Sequence, residues 1–245
     1  MKNYIEKFKN TTHIDLLSNR GFTLAEVLIT LGIIGIVAAM TIPTLLAKLN
    51  NRHTESILKE DYSILQQMMT SANDDGAMSS IVKGNDMEQM ENWFKTYFLP
   101  YIKTANVCYD KRGCWDASAK LLDGSKITTS SVGCGARTIS FQLYNGSYVC
   151  MDDFGAGSIF SRFGVKVESG LMDLVFYIDT NGDKNPNMLG KDIFILVYKP
   201  EIGKFVPAGS DRTQKEIEQN CSKGGNGRWC MALVKNRGWK VPDIK

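Results

Sequence analysis

The sequence predicts an α+β protein, with one long N-terminal helix packed on an antiparallel β-sheet head that carries short extra helices. Three observations predict it. An uncharged run from Val27 to Ala47 is followed, with no break in helical period, by an amphipathic stretch reaching Ala72. Beyond Val107 the apolar residues fall into short runs bounded by turn dipeptides, Asp123-Gly124 and Asn145-Gly146. Six cysteines, all after residue 107, suit a disulfide-bearing domain in an oxidising compartment.

Four regions follow: residues 1–21, 22–49, 50–75 and 76–245. The first is polar and basic in balance, with no apolar core long enough to insert. The uncharged run after it has 21 residues, roughly 31 Å as a helix against a bilayer core of about 30 Å. An ordinary secretory signal places its cleavage site after the apolar segment; here the basic-Gly-Phe junction precedes it. The positive excess puts residues 1–21 on the cytoplasmic side and the head outside. Glu26 is the lone acid at the start of the run, and such a residue is usually functional and usually partnered. Its natural partner is a new amino terminus one turn earlier, made by a cut between Gly21 and Phe22. Thr23, Thr30 and Thr41 can bond their hydroxyls to the helix backbone, and Gly32 and Gly35 leave room for a neighbouring helix. Pro43 removes a backbone donor, so a kink or local unwinding is expected over residues 39–43.

From Asn50 the helix continues with Ile57/Leu58, Leu65, Met68/Met69 and Ala72 on one face, while Lys48, Arg52, Lys59, Glu60 and Asp61 fall elsewhere. Asn73-Asp-Asp-Gly76 ends it. A second helix spans Asp86 to Leu99, capped by Asp86 with Gln89, stopped by Pro100, and apolar at Met90, Phe94, Tyr97 and Phe98. The Asn145-Gly146 turn joins Thr138–Tyr144 to Ser147–Asp152. Taken as a two-residue loop, it pairs Phe141 with Cys150 and Leu143 with Tyr148. Ile139, Phe141, Leu143, Tyr148 and Cys150 then share the core face. Leu171–Asp179 and Asp192–Tyr198 read as two apolar strands. Thr213 with Glu216 caps a short helix, Cys230–Asn236 makes another, and Gly238 suits the left-handed position that lets Trp239 fold back. Cys221 and Cys230 are assignable as a bridge closing the loop between them; the pairings of Cys108, Cys114, Cys134 and Cys150 stay open.

The loop from Asp179 to Asp192 carries the sharpest chemical pattern in the head. Asp179, Asn181 and Asp183 alternate oxygen donors as calcium loops do, and Asn187 and Asp192 could complete a shell. Lys184 and Gly190 occupy the slots of the EF-hand glycine and bidentate glutamate, so it is no EF-hand. The other reading is a tight inter-strand turn of Asx side chains and Gly182 held by backbone hydrogen bonds. No cofactor is otherwise required. Of two histidines, His13 precedes the junction and His53 sits just past the apolar run, which leaves the head without a histidine base or zinc ligand. Gly224-Gly-Asn-Gly227 lacks the Lys-Ser/Thr of a phosphate loop. The chain is not expected to be an enzyme. Removing residues 1–21 takes away four basic and two acidic residues, leaving 25 and 24, a net +1 that offers no nucleic-acid surface.

Gly21-Phe-Thr-Leu-Ala-Glu26, followed by the apolar run with Gly35 and Pro43, resembles the class III signal of type IV pilins and type II secretion pseudopilins. Trp93–Thr104 also resembles a segment of prepilin-type proteins. The resemblance implies a pilin-like fold, cleavage after Gly21 by a prepilin peptidase, and N-methylation of the exposed Phe22. It makes Glu26 the acid that pairs with the Phe22 amine of a neighbouring subunit. Implied partners are other pilin or pseudopilin subunits and an inner-membrane assembly platform. The implied location is a single pass of the inner membrane with a periplasmic head, then the filament or cell surface. A head of this size with several disulfides points to a minor pilin or pseudopilin of a type IV pilus or type II secretion system. Some pseudopilin heads bind calcium, which is what the resemblance adds to the Asp179–Asp192 loop. The competing class is a membrane-anchored periplasmic binding domain that never assembles.

Overall fold

In the computed structural model the described residues are 21–77, 86–110, 119–127, 138–154, 156–168, 174–182 and 184–244. They form an α+β, pilin-like architecture: one long helix, a six-stranded antiparallel sheet and short helices. Helix α1 (Leu24–Asp74) is shared between two compact units, Met1–Ala47 and Lys48–Lys245. It runs unbroken through Pro43, so of the kink or local unwinding expected over residues 39–43 the unwinding is absent. Hydroxyls of Thr30 and Thr41 bond back to the carbonyls of Val27 and Val37, as expected of polar groups in an apolar helix.

The head begins at Lys48. The short helix α2 (Met87–Trp93) starts at Asp86, whose carboxylate accepts from the Gln89 N–H at 3.2 Å. It passes into a π-helical turn over Phe94–Phe98 and a 3₁₀ turn at Leu99–Tyr101. Strands β1 (Thr104–Tyr109), β2 (Ile139–Leu143), β3 (Tyr148–Asp153), β4 (Leu174–Asp179), β5 (Ile193–Lys199) and β6 (Lys204–Pro207) pair in sequence order. Helices α3 (Gln214–Asn220) and α4 (Cys230–Asn236) complete it; Thr213 and Glu216 form a reciprocal capping box on α3.

Both faces of the sheet are covered, which is why β4 and β5 read as continuous apolar runs rather than alternating ones. On one face, Phe141, Phe176, Phe194 and Phe205 pack with Leu58, Leu65, Met68, Phe94, Phe98 and α4. On the other, Val175, Tyr177, Ile195 and Val197 pack with Ile159, Phe163 and Val165. Lys235 of α4 lies 3.9 Å from the Tyr62 ring and 4.6 Å from that of Trp239, tying the C-terminal segment to α1. Trp239 folds back to stack edge-on against Tyr62.

Two expectations about the head are corrected. The β2–β3 pairing is Phe141 with Val149 and Ser140 with Cys150, one residue from the expected register. The connection holds three residues, not two: the Leu143 N–H donates to Ser147 O and the Gly146 N–H to Leu143 O, with Gly146 at φ 93°. Val149 and Met151 therefore join Ile139, Phe141 and Leu143, while Tyr148 and Cys150 face the opposite side. The second correction is Asp61, which is fully buried rather than off the apolar face.

Candidate functional site

The N-terminal junction is built from local backbone logic. Gly21 and Phe22 precede α1, and Phe22 is 87% exposed. Thr23 and Glu26 form a reciprocal cap. The Glu26 carboxylate accepts from the Thr23 N–H and hydroxyl, each at 2.8 Å, and the Glu26 N–H donates to Thr23 Oγ1 at 3.2 Å. The Thr23 hydroxyl thus bonds the helix backbone, as expected, by accepting from the Glu26 N–H, and also donates to the Glu26 carboxylate. The sequence signal for this cap is Thr-x-x-Glu at the start of the apolar run. A Cβ placed on Gly21, Gly32 or Gly35 meets nothing within 4 Å, so none of these glycines is required by packing within the chain. The helix that follows has a mean hydropathy of 2.2 over its most apolar window, and none of that window is buried. Leu28, Ile34, Ile36 and Leu45 lie among its exposed side chains. An apolar surface of this extent on one helix marks a membrane or protein contact.

The β4–β5 loop is the second site. Asp179, Asn187 and Asp192 are all buried within it. Asp192 Oδ1 accepts from the Met188 N–H at 2.6 Å, and Oδ2 from the Asn187 N–H at 2.8 Å and the Asn181 amide at 3.1 Å. Burial pushes the Asp192 pKa up, and these donors pull it part of the way back. Asp179 Oδ1 accepts from the Asn181 N–H at 3.1 Å. Asn187, in the orientation that satisfies it, donates to Lys184 O at 2.9 Å and to Asp179 Oδ2 at 3.3 Å. Asn181 Oδ1 is buried with no hydrogen-bond partner among the described residues. Asp183 lies outside the described residues, among which no group of three or more acidic, histidine or cysteine side chains gathers.

Two neighbours brace this loop. Gly182, at φ 66°, lies so close to the β2–β3 turn that a Cβ would meet Gly146 O at 2.8 Å. Gly190, at φ 82°, packs against Cys230 Sγ. Cys230 is bridged to Cys221, as expected. Cys108 and Cys150 are each in a disulfide; Cys114 and Cys134 lie outside the described residues.

Asp61 was missed as a site residue. Its Oδ1 accepts from the Asn145 amide at 2.7 Å, and its Oδ2 is buried without a partner among the described residues. Asn145 is held in turn by the Ser147 N–H at 3.2 Å and hydroxyl at 2.9 Å, which donate to its Oδ1. Burial pushes the Asp61 pKa up from 3.8 to about 6, with Glu60 adding to the rise and the Asn145 and Ser147 bonds opposing it. The legible signal was spacing: Thr54, Leu58, Asp61, Leu65, Met68 and Ala72 step by three and four along one face.

Comparison with known families divides the chain within its apolar run. A model of the prokaryotic N-terminal methylation motif matches residues 16–42, and a family of unknown function (DUF6613) matches residues 44–244. No curated protein and no solved structure matches. The motif identifies the junction as a prepilin signal of the type IV pilin and pseudopilin kind. With the apolar helix, it supports membrane anchoring.

Proposed function

The chain belongs to the family of unknown function DUF6613, and we propose that it is a minor structural subunit of a type IV filament system, pilus or type II secretion. In this reading a prepilin peptidase cuts between Gly21 and Phe22 and methylates the new Phe22 amine. The chain passes once through the inner membrane with its head in the periplasm, and an assembly platform adds it to other subunits.

The observation that carries the reading is the junction, where the methylation motif runs directly into an unpartnered apolar helix. The physics is one of carboxylate exchange. In the uncut chain Thr23 supplies both donors to Glu26. A cut at Gly21 creates an amine within one turn, and in the filament the amine of an adjoining subunit replaces it as counter-charge.

Because a side chain at Gly21 meets nothing, loss of processing in Gly21→Val reports recognition by the peptidase and not misfolding. Mass spectrometry of the mature N-terminus should show the loss of residues 1–21 and one added methyl group. An uncut chain that still reaches its working location would refute the reading in favour of a plain membrane anchor. Glu26→Ala should leave cleavage intact and lower incorporation into filaments.

A second proposal, calcium at the β4–β5 loop, is favoured by the partnerless Asn181 Oδ1. Turning the Asn187 amide over would also aim its oxygen at Lys184 O and Asp179 Oδ2, so three oxygens would converge where a hydrogen-bonded turn now stands. Calorimetry on the head at millimolar calcium tests it: no heat and no rise in melting temperature would leave the loop a turn.

A further inference from the structure

The head carries a groove of about 400 Å³ beside α1. Its bottom is the buried pair Met68 and Leu143, with Ile64 half-buried beside them, and its walls include Tyr101 and Tyr144. Tyr144 is 72% exposed and Tyr101 41%. Beyond Leu49, the head's other exposed large apolar residue among those described is Ile202, at 54%, on the β5–β6 turn. The charges correspond. Glu60 and Lys103 line the groove, and Glu201 and Lys204 flank Ile202 along the turn. Among the described residues no ion pair engages Glu60, Lys103 or Lys204, whereas Glu201 already meets Lys199 at 3.5 Å.

Groove and turn lie on opposite flanks of α1. The groove uses Glu60, Ile64 and Gln67. The opposite flank reaches β6 through Tyr62 and Gln66, which bond the carbonyl and N–H of Phe205. Strands β1 and β6 are the two edges of the sheet, roughly 24 Å apart at about 4.8 Å per strand step. A turn on one edge cannot fill a groove beside the other edge of the same copy.

We propose that the Glu201–Lys204 turn of one copy docks in the Tyr101–Tyr144 groove of the next, with Ile202 between the tyrosines and Lys204 facing Glu60. This rests on the filament reading and adds to it that copies of this chain stand next to one another in the filament rather than singly among other subunits. The contact is head-to-tail, so it does not close into a dimer and repeats as an open chain. It also accounts for Tyr101, Tyr144 and Ile202 remaining in water on an isolated head.

The test uses the full chain in membranes where it is cleaved and assembled. Ile202→Cys with Tyr144→Cys should, under mild oxidant, give a ladder of dimers, trimers and longer species on a non-reducing gel. Each single variant lacks the facing thiol and should give no ladder. Both positions are exposed, so neither change disturbs the core. Glu60→Lys should cut the ladder about tenfold through like-charge contact with Lys204, and adding Lys204→Glu should restore it. A cleaved, polymerising chain that gives no ladder overturns the contact and leaves the filament reading standing. Cross-linking only to a chain of different mass overturns self-docking. An uncleaved chain overturns the filament reading and this contact with it.

Discussion

Replacing Asp61 with asparagine should stabilise the head at neutral pH and leave it little changed in acid. Asp61 is fully buried in α1, accepts a hydrogen bond from Asn145, and has no partner on Oδ2 among the described residues. Its pKa is raised from 3.8 to about 6 by burial. An acid whose pKa is higher folded than unfolded holds its proton more tightly in the native state. Its effect is therefore small below the unfolded value near 3.8, becomes a growing penalty as pH rises toward 6, and stays constant above that. Two pKa units correspond to about 3 kcal/mol, of which roughly 2 kcal/mol develops between pH 4 and pH 7. Asparagine keeps an oxygen for the Asn145 amide and carries no charge at either pH. Urea denaturation of wild type and Asp61→Asn at both pH values is the assay, read as the difference between their stabilities. That difference should move by roughly 2 kcal/mol in favour of the variant on going to pH 7. Parallel pH dependences of the two proteins would refute the argument, because they would mean that Asp61 does not bear a desolvated charge in the folded head.

Three further changes test other parts of the packing. Tyr177→Phe should be neutral or stabilising by up to about 1 kcal/mol, since the Tyr177 hydroxyl is buried with no hydrogen-bond partner among the described residues; a large loss in melting temperature would show a bond that the fold needs. Cys221→Ser with Cys230→Ser should cost about 2–3 kcal/mol in denaturant titration, since the bridge closes a short loop, and should loosen proteolytic protection of the β4–β5 loop that packs on Cys230. Gly182→Ala should cost about 1–3 kcal/mol, measured the same way, because its left-handed backbone and its approach to Gly146 O both penalise a Cβ; an unchanged midpoint would count against close contact between the two turns.

What the sequence determined by itself was local. Basic leader, junction, lone acid and apolar run are read from covalent order, and the N-terminal methylation motif falls on that stretch. The capping boxes, the α4 boundaries and the Cys221–Cys230 bridge span ten residues or fewer, so their partners meet wherever the head folds. Only the tertiary structure decided the rest. An Asn-Gly pair serves two-residue and three-residue hairpins alike, and the one-residue difference moves Val149 and Met151 onto the core face and turns Cys150 to the other side. Asp61 carries a charge that composition places in water, yet it stands at a core step of α1, and its burial follows from the β2–β3 turn that closes over it. The pattern also could not tell whether the Asp179–Asp192 oxygens face a cation or the N–H groups of their own turn, because direction, unlike spacing, is set by the strands at either end.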